Sequence, residues 1–229
     1  MEKILNYING ELVEPTNGAY LDNYNPSNGE VYSLIPDSEK LDINNAVAAA
    51  KQAFKTWSKT PKQERSDILM KLADTIEKYS DELIKAESKD NGKPETLAAH
   101  VDIPRAPANI RFFAGAILHD SSKLHEMDGS AINYTLRQPL GVAACISPWN
   151  LPLYLLTWKI APALATGNTV VAKPSEITPM TAYLLSKICI ESGLPEGILN
   201  IVHGTGERTG DPLTTHPDTP IVSFTGGTA

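Results

Sequence analysis

Cysteine is nearly absent from this sequence: Cys145 and Cys189 are the only two in 229 residues, and neither has zinc-type spacing to another ligand. No disulfide framework or thiolate metal site can be assembled from them. The five histidines include no H-x-x-x-H pair, which removes the commonest helical metal signature. A long apolar run is missing too. The most apolar segment, PLYLLTWKIAPALATG, is broken by Lys159 and Pro162, and MEKILNYING has no apolar stretch behind its charges. Neither membrane spanning nor secretion is indicated, and a cytoplasmic location is expected. Positive charge is also short, with 20 Lys and Arg against 27 Asp and Glu for a net charge of -7. General affinity for nucleic acid or anionic lipid is disfavoured, while a local pocket for a small anion stays open. Internal repeats and low-complexity tracts are lacking as well.

What remains is an ordinary globular composition, 41% hydrophobic and 21% charged, with length for one large or two small domains. INGELVEPTNGAYLDNYNP reads as short strands, with Asn9-Gly10 and Asn17-Gly18 as hairpin-type turns. A helix is expected from about Asp42, because Ile43, Val47, Ala50, Phe54 and Trp57 recur at spacings of four and three. Thr60, Pro61 and Gln63 predict a capped start to a second helix with Ile68, Leu72, Ile76 and Tyr79 inward. Ser80 predicts the cap of a third, ending at Asn91-Gly92. Helical patterning resumes after Pro94, with an interruption expected around Pro104 and Pro107. Two strands joined at Asp128-Gly129 follow, from the alternation Ile132, Tyr134, Leu136.

From Gly141 onward, strands and helices alternate: GVAACIS, YLLTWKIAPALATG, NTVVAK, TPMTAYLLSKICIESG, LNIVHG, a short helix near ERTGDPLTTH, then PIVSFT. Thr178 is the expected cap of the second of these helices, with Pro179 in its first turn. The alternation predicts crossover units on a parallel sheet, whose ligand face lies beyond the carboxyl ends of the strands. The preceding half reads as decoration around that sheet.

Four strand ends carry SPWN, KPSE, HGTGERTG and TGGTA. HGTGERTG has G-x-G-x-x-x-G spacing, not the G-x-G-x-x-G fingerprint, so it reads as a phosphate turn or as a tight turn with close helix packing. Lys173 ends an apolar strand before Pro174 and is either a site residue or a surface lysine. Glu176 can accept hydrogen bonds from both hydroxyls of an adenosine ribose and would disfavour a 2′-phosphate, or it is a solvated carboxylate. Asn150, among Pro148, Trp149 and Pro152, can donate to a carbonyl oxygen that gains charge, or cap the next helix. The glycines of TGG would bring backbone N–H groups close to a phosphate at a following helix start, with Thr228 and Ala229 as its first residues. Both cysteines read as inert, one in a strand and one in a helix.

Together, ISPWNLP, VVAKPSE, HGTGERTG and SFTGGTA resemble the aldehyde dehydrogenase superfamily in order and spacing, from INGEL to the last residue. The resemblance implies a Rossmann-like α/β cofactor domain with N-terminal helices and a β-hairpin extension for oligomerisation. Its segments here are 1–120, 121–139 and 140–229. It implies NAD-dependent oxidation of an aldehyde to an acid through a cysteine nucleophile and a glutamate base. Asn150 then resembles the oxyanion-stabilising amide, and Lys173 and Glu176 the ribose pair. Ser147, Pro148, Trp149 and Ser175 lie along the cofactor, with Gly206 and Gly210 on its adenine side. Phe224, Thr225, Gly226 and Gly227 line the dinucleotide path, Gly227 standing where many relatives have serine. The family's nucleophile and base lie beyond the TGG segment, so this chain reads as a cofactor-binding half that is inactive alone.

DIPRAPANIRFFAG, INYTLRQPLG and FTGGTA are similar to dehydrogenases of muconic-type semialdehydes, which implies an acidic substrate contacted by Arg105. That arginine reads otherwise as a helix-surface residue. The expected partners are a small aldehyde and further copies of the chain in a dimer or tetramer. A non-enzymatic nucleotide-binding or subunit-assembly module is the competing reading.

Overall fold

A computed structural model describes residues 1–227; the helix start expected at Thr228 and Ala229 lies outside the described residues. Short strands open the chain: β1 (Glu2–Lys3), β2 (Asn6–Ile8), β3 (Glu11–Val13), β4 (Tyr20–Asn25) and β5 (Glu30–Pro36). Helices α1 (Lys40–Trp57), α2 (Lys62–Lys78), α3 (Ser80–Asn91), α4 (Glu95–Leu97) and α5 (Ile103–Ala116) come next. The hairpin β6 (Leu124–Met127) and β7 (Ala131–Tyr134) leads into β8 (Val142–Ile146), α6 (Pro152–Ala165), β9 (Thr169–Lys173), α7 (Met180–Ser192), β10 (Leu199–Ile201), α8 (Asp211–Thr214) and β11 (Ile221–Phe224).

The main sheet has six strands in the order β11-β8-β9-β10-β2-β3, and β1-β5-β4 form a separate sheet. Strands β11, β8, β9 and β10 run parallel, as the crossover pattern predicts. The N-terminal hairpin is more than decoration, because Tyr7 pairs with Ile201 and β2 and β3 complete the sheet in antiparallel sense. Asn9-Gly10 is its turn, with positive φ at both residues. Asn17-Gly18 joins strands of different sheets, so it turns the chain without making a hairpin. The hairpin of β4 and β5 closes instead at the unanticipated Asn25 to Gly29 turn.

Alternate residues along the strands serve two cores. Ala143, Cys145, Val170, Ala172, Leu199 and Ile201 meet a core built by α2, α5, α6 and α7. Val142, Ala144, Val171 and Val202 meet Ile43, Ala46, Val47 and Ala50 of α1. Burial on both faces explains why these strands read as continuous apolar runs.

Several helix starts differ from the local capping signals. Helix α1 begins at Lys40, where the backbone N–H of Glu39 donates to Asp42 Oδ2 at 3.0 Å. Pro61 takes the cap position of α2, while the Thr60 hydroxyl donates to the Thr56 carbonyl and the Gln63 amide to Asp67. Ser80 is the first residue of α3 and donates to the Glu77 carbonyl. Thr178 does not cap α7: its hydroxyl donates to the Trp149 carbonyl, and Asp90 accepts from the Met180 N–H at 2.8 Å. Pro104 sits in the first turn of α5 and Pro107 inside it, so the interruption falls before them, at the π-type turn Ala98–Asp102.

Candidate functional site

The parallel register brings the singled-out residues to one edge, with Ile146 opposite Lys173 and also opposite Phe224. The Ser147 N–H donates to the Lys173 carbonyl at 3.2 Å, and the Thr225 N–H to the Ile146 carbonyl at 3.1 Å. The loop after β8 is thereby tied to the ends of both neighbouring strands.

Lys173 is buried, its side chain 4% exposed, and its Nζ donates to Glu176 Oε2 at 2.6 Å. The surface-lysine alternative is ruled out by that burial. Pro174 directs the chain so that Glu176, a third exposed, returns over the lysine. Ser175 Oγ accepts from the Ile177 N–H at 3.2 Å, which shapes the same turn. His203, at the end of β10, is buried beside them with both ring nitrogens unpartnered. Burial, helped by the charge on Lys173, pushes its imidazole down to about 3. The Ser147 hydroxyl is a second buried polar group without a protein partner.

Asn150 does not cap α6, and its exposed carboxamide makes no hydrogen bond among the described residues. Its backbone is held instead: the Asn150 carbonyl accepts from Lys93 Nζ at 3.1 Å. The Trp149 carbonyl accepts from Asn91 Nδ2 at 2.8 Å and from the Thr178 hydroxyl at 3.2 Å. Trp149 itself is half exposed, beside the partly buried Pro148.

In HGTGERTG the packing reading holds for Gly204, where an added Cβ would lie 2.0 Å from the Thr209 hydroxyl. Gly206 is open, and a Cβ at Gly210 would make only an ordinary contact with Ile146 Cδ1 at 4.0 Å. Arg208 turns away to Asp37 at 2.6 Å and Glu39 at 3.3 Å. At the end of β11, Phe224, Thr225, Gly226 and Gly227 are exposed, and Lys159 Nζ reaches the Thr225 hydroxyl at 2.7 Å. Arg105 stands apart at the start of α5. Its guanidinium lies over the Tyr154 ring of α6, 5.9 Å from the centroid, and makes no ion pair among the described residues. A cavity of about 960 Å³ lies at the opposite end of the sheet, lined by Leu136, Arg137, Leu140, Asn168 and Ile221.

The sequence reading missed Lys93, Lys159 and His203. Lys93 directly follows a helix-ending glycine, and Lys159 registered only as a break in an apolar run. Cys145 and Cys189 are both buried, and burial pushes the Cys145 thiol up to about 12 and raises the Cys189 thiol as well. No cluster suited to a metal and no helix long and apolar enough to cross a membrane occurs among the described residues.

Polar groups gathered at the carboxyl ends of a parallel sheet define an α/β protein whose candidate ligand face is that edge. The chain belongs to the aldehyde dehydrogenase family, whose model matches residues 12–229. It is 55% identical to the 2-aminomuconic semialdehyde dehydrogenase of Danio rerio over 98% of this chain and 46% of that one. It is 46% identical to the 2-hydroxymuconic semialdehyde dehydrogenase of Pseudomonas sp. (strain CF600), over 100% of this chain and 48% of the relative. A solved aldehyde dehydrogenase from Bacillus cereus in complex with NAD+ superposes with a TM-score of 0.95 at 38% identity, over 98% of this chain and 46% of that one. The chain spans about half the length of the curated relatives it matches.

Proposed function

We propose that this chain is the NAD-binding part of a dehydrogenase that oxidises an acidic semialdehyde to its carboxylic acid. The observation that carries the reading is the buried Lys173 paired with Glu176 at the end of β9. A vicinal diol donates and accepts, and this pair offers one donor and one acceptor already 2.6 Å apart. The carboxylate charge sets the site against a 2′-phosphate. The relatives' names supply the substrate class, and the NAD+ complex of the Bacillus cereus enzyme supports the cofactor.

Bound NAD supplies the two-electron acceptor. Ser147, Pro148, Trp149 and Ser175 would hold it on one side, with Gly206 and Gly210 on its adenine side and Phe224, Thr225, Gly226 and Gly227 along the dinucleotide path. Lys159 holds Thr225 and places a positive charge beside that path. The Asn150 carboxamide donates to the carbonyl oxygen of the reacting aldehyde as it gains charge. Arg105, steadied on Tyr154, offers a planar fork to the substrate carboxylate. Cys145 and Cys189 are buried thiols far from the thiolate form, so the chain by itself binds dinucleotide without turning it over. Segments 1–120 and 140–229 form the cofactor unit, and the enzyme works in the cytoplasm as a homo-oligomer.

Calorimetric titration of the chain tests this reading. NAD is expected to bind more tightly than NADP, and equal isotherms for the two would remove the role of Glu176. Steady NADH formation by the pure chain with an aldehyde would overturn the assignment of its cysteines as inert. A subunit-assembly role without catalysis is favoured by one observation, the exposed Leu124, Met127, Ile132 and Tyr134 on the 121–139 hairpin. Absence of any NAD binding would leave that role standing alone.

A further inference from the structure

The turn that ends α3 reads DNGKP, and two of its residues reach across to the candidate site. Gly92 adopts φ 80°, and a Cβ there would meet Pro26 Cγ at 2.9 Å, so the position demands glycine. That turn aims Asn91 at the Trp149 carbonyl and Lys93 at the Asn150 carbonyl. The ammonium of Lys93 uses its three donors on Asp102 Oδ2 at 2.6 Å, Glu87 Oε1 at 3.2 Å and the Asn150 carbonyl at 3.1 Å. All three side chains are buried, Lys93 8% exposed, Glu87 0% and Asp102 1%.

We propose that Lys93, held by Glu87 and Asp102, is a positioning residue that fixes the backbone of Asn150 and so aims its carboxamide at the reacting oxygen. This rests on the reading of Asn150 given above. The two carboxylates anchor the lysine from α3 and from the π-type turn before α5, so its third donor has a fixed direction. With the carbonyls of Trp149 and Asn150 both engaged, the peptide planes on either side of the Asn150 Cα are set. The carboxamide, lacking a protein partner of its own, depends on that backbone for its direction. A donor held in place before the reaction needs no reorganisation as charge develops, and displacement by about 1 Å can cost 100-fold in rate.

Lys93→Met alone strands two buried carboxylates and risks misfolding. The double variant Lys93→Met with Asp102→Asn avoids this, since burial pushes Glu87 up to about 7 and lets it take the remaining proton. Hydrogen exchange on this chain is expected to show amides of residues 147–151 opening at least tenfold faster in the double variant, with β8 and β9 unchanged. In the active enzyme containing these residues, with succinic semialdehyde as probe, kcat is expected to fall 10- to 100-fold while KM for NAD stays within twofold. Unchanged exchange at 147–151, or exchange raised throughout the chain, overturns the positioning role; so does a loss that falls on KM for NAD. An Asn150→Ala enzyme of undiminished kcat would instead remove the oxyanion reading, with the exchange result still deciding whether Lys93 holds the loop.

Discussion

Strands β8 and β9 and the hairpin β6–β7 are close in sequence and differ completely in surroundings. All of β9 and all but the last residue of β8 are buried, whereas every residue of β6 and β7 is exposed. Both regions are rich in apolar residues, so apolar content alone does not mark a core. The inner strands are ordered by burial on two faces. The hairpin is ordered by its Asp128-Gly129 turn, with positive φ at both residues, and by four cross-strand pairs. Rigid, buried strands can hold a lysine and a histidine at their ends against the cost of desolvation. The hairpin holds His125 in the open, and Leu124, Ile132 and Tyr134 are exposed alongside it.

The sharpest break between the two regions is expected in stability. Leu199→Ala, at a fully buried position of β10 beside β9, should lower the unfolding free energy by about 3 kcal/mol, against under about 0.5 kcal/mol for Leu124→Ala in the hairpin. Equal shifts in urea melts would mean that the hairpin packs on the body.

Acid should reveal the buried end next. His203 titrates at about 3 when folded and near 6.5 when unfolded, so its contribution is complete above 6.5 and is lost as pH falls towards 3. Glu87, raised to about 7, tilts the other way, contributing most below about 4.5 and losing that as pH rises through 7. A His203→Gln chain is therefore expected to lose less stability than the parent between pH 6.5 and 5, by roughly 2 kcal/mol. Parallel melting curves for the two would show that His203 does not carry this slope.

Lys173→Ala removes the buried donor and leaves Glu176 unpaired, and NAD affinity is expected to drop about tenfold or more, roughly 1.4 kcal/mol. An unchanged isotherm would place the dinucleotide elsewhere. The smallest effect concerns Arg105, exposed and outside both regions. In the active enzyme, Arg105→Ala should reduce kcat/KM for an acidic aldehyde several-fold and leave a neutral one nearly unaffected. Equal losses would reduce Arg105 to a helix-surface residue.

Much of the second half was legible from residues alone. Continuous apolar runs alternating with helices, Gly193 past the end of α7 and the positions of SPWN and KPSE anticipated the parallel strands and the edge where their ends gather. The first half was less legible because its order depends on distant partners. Nothing local in NYI announces that Tyr7 pairs with Ile201, and the α7 start is bound by Asp90 in place of Thr178. Cap signals at Thr60 and Ser80 were outcompeted by local bonds back to the carbonyls of Thr56 and Glu77, and the one at Thr178 by a tertiary bond to the Trp149 carbonyl.

The division follows the range of the forces. Short-range sterics and side-chain period, both written in the sequence, set the helices, strands and turns and the chemical character of each strand end. Whether Lys173 is buried, whether His203 stays neutral, and whether Lys93 reaches Asn150 across 57 residues depended on packing that removes water from those groups. Desolvation and hydrogen-bond direction are properties of the assembled fold, and they turn the same polar residues from surface decoration into a site.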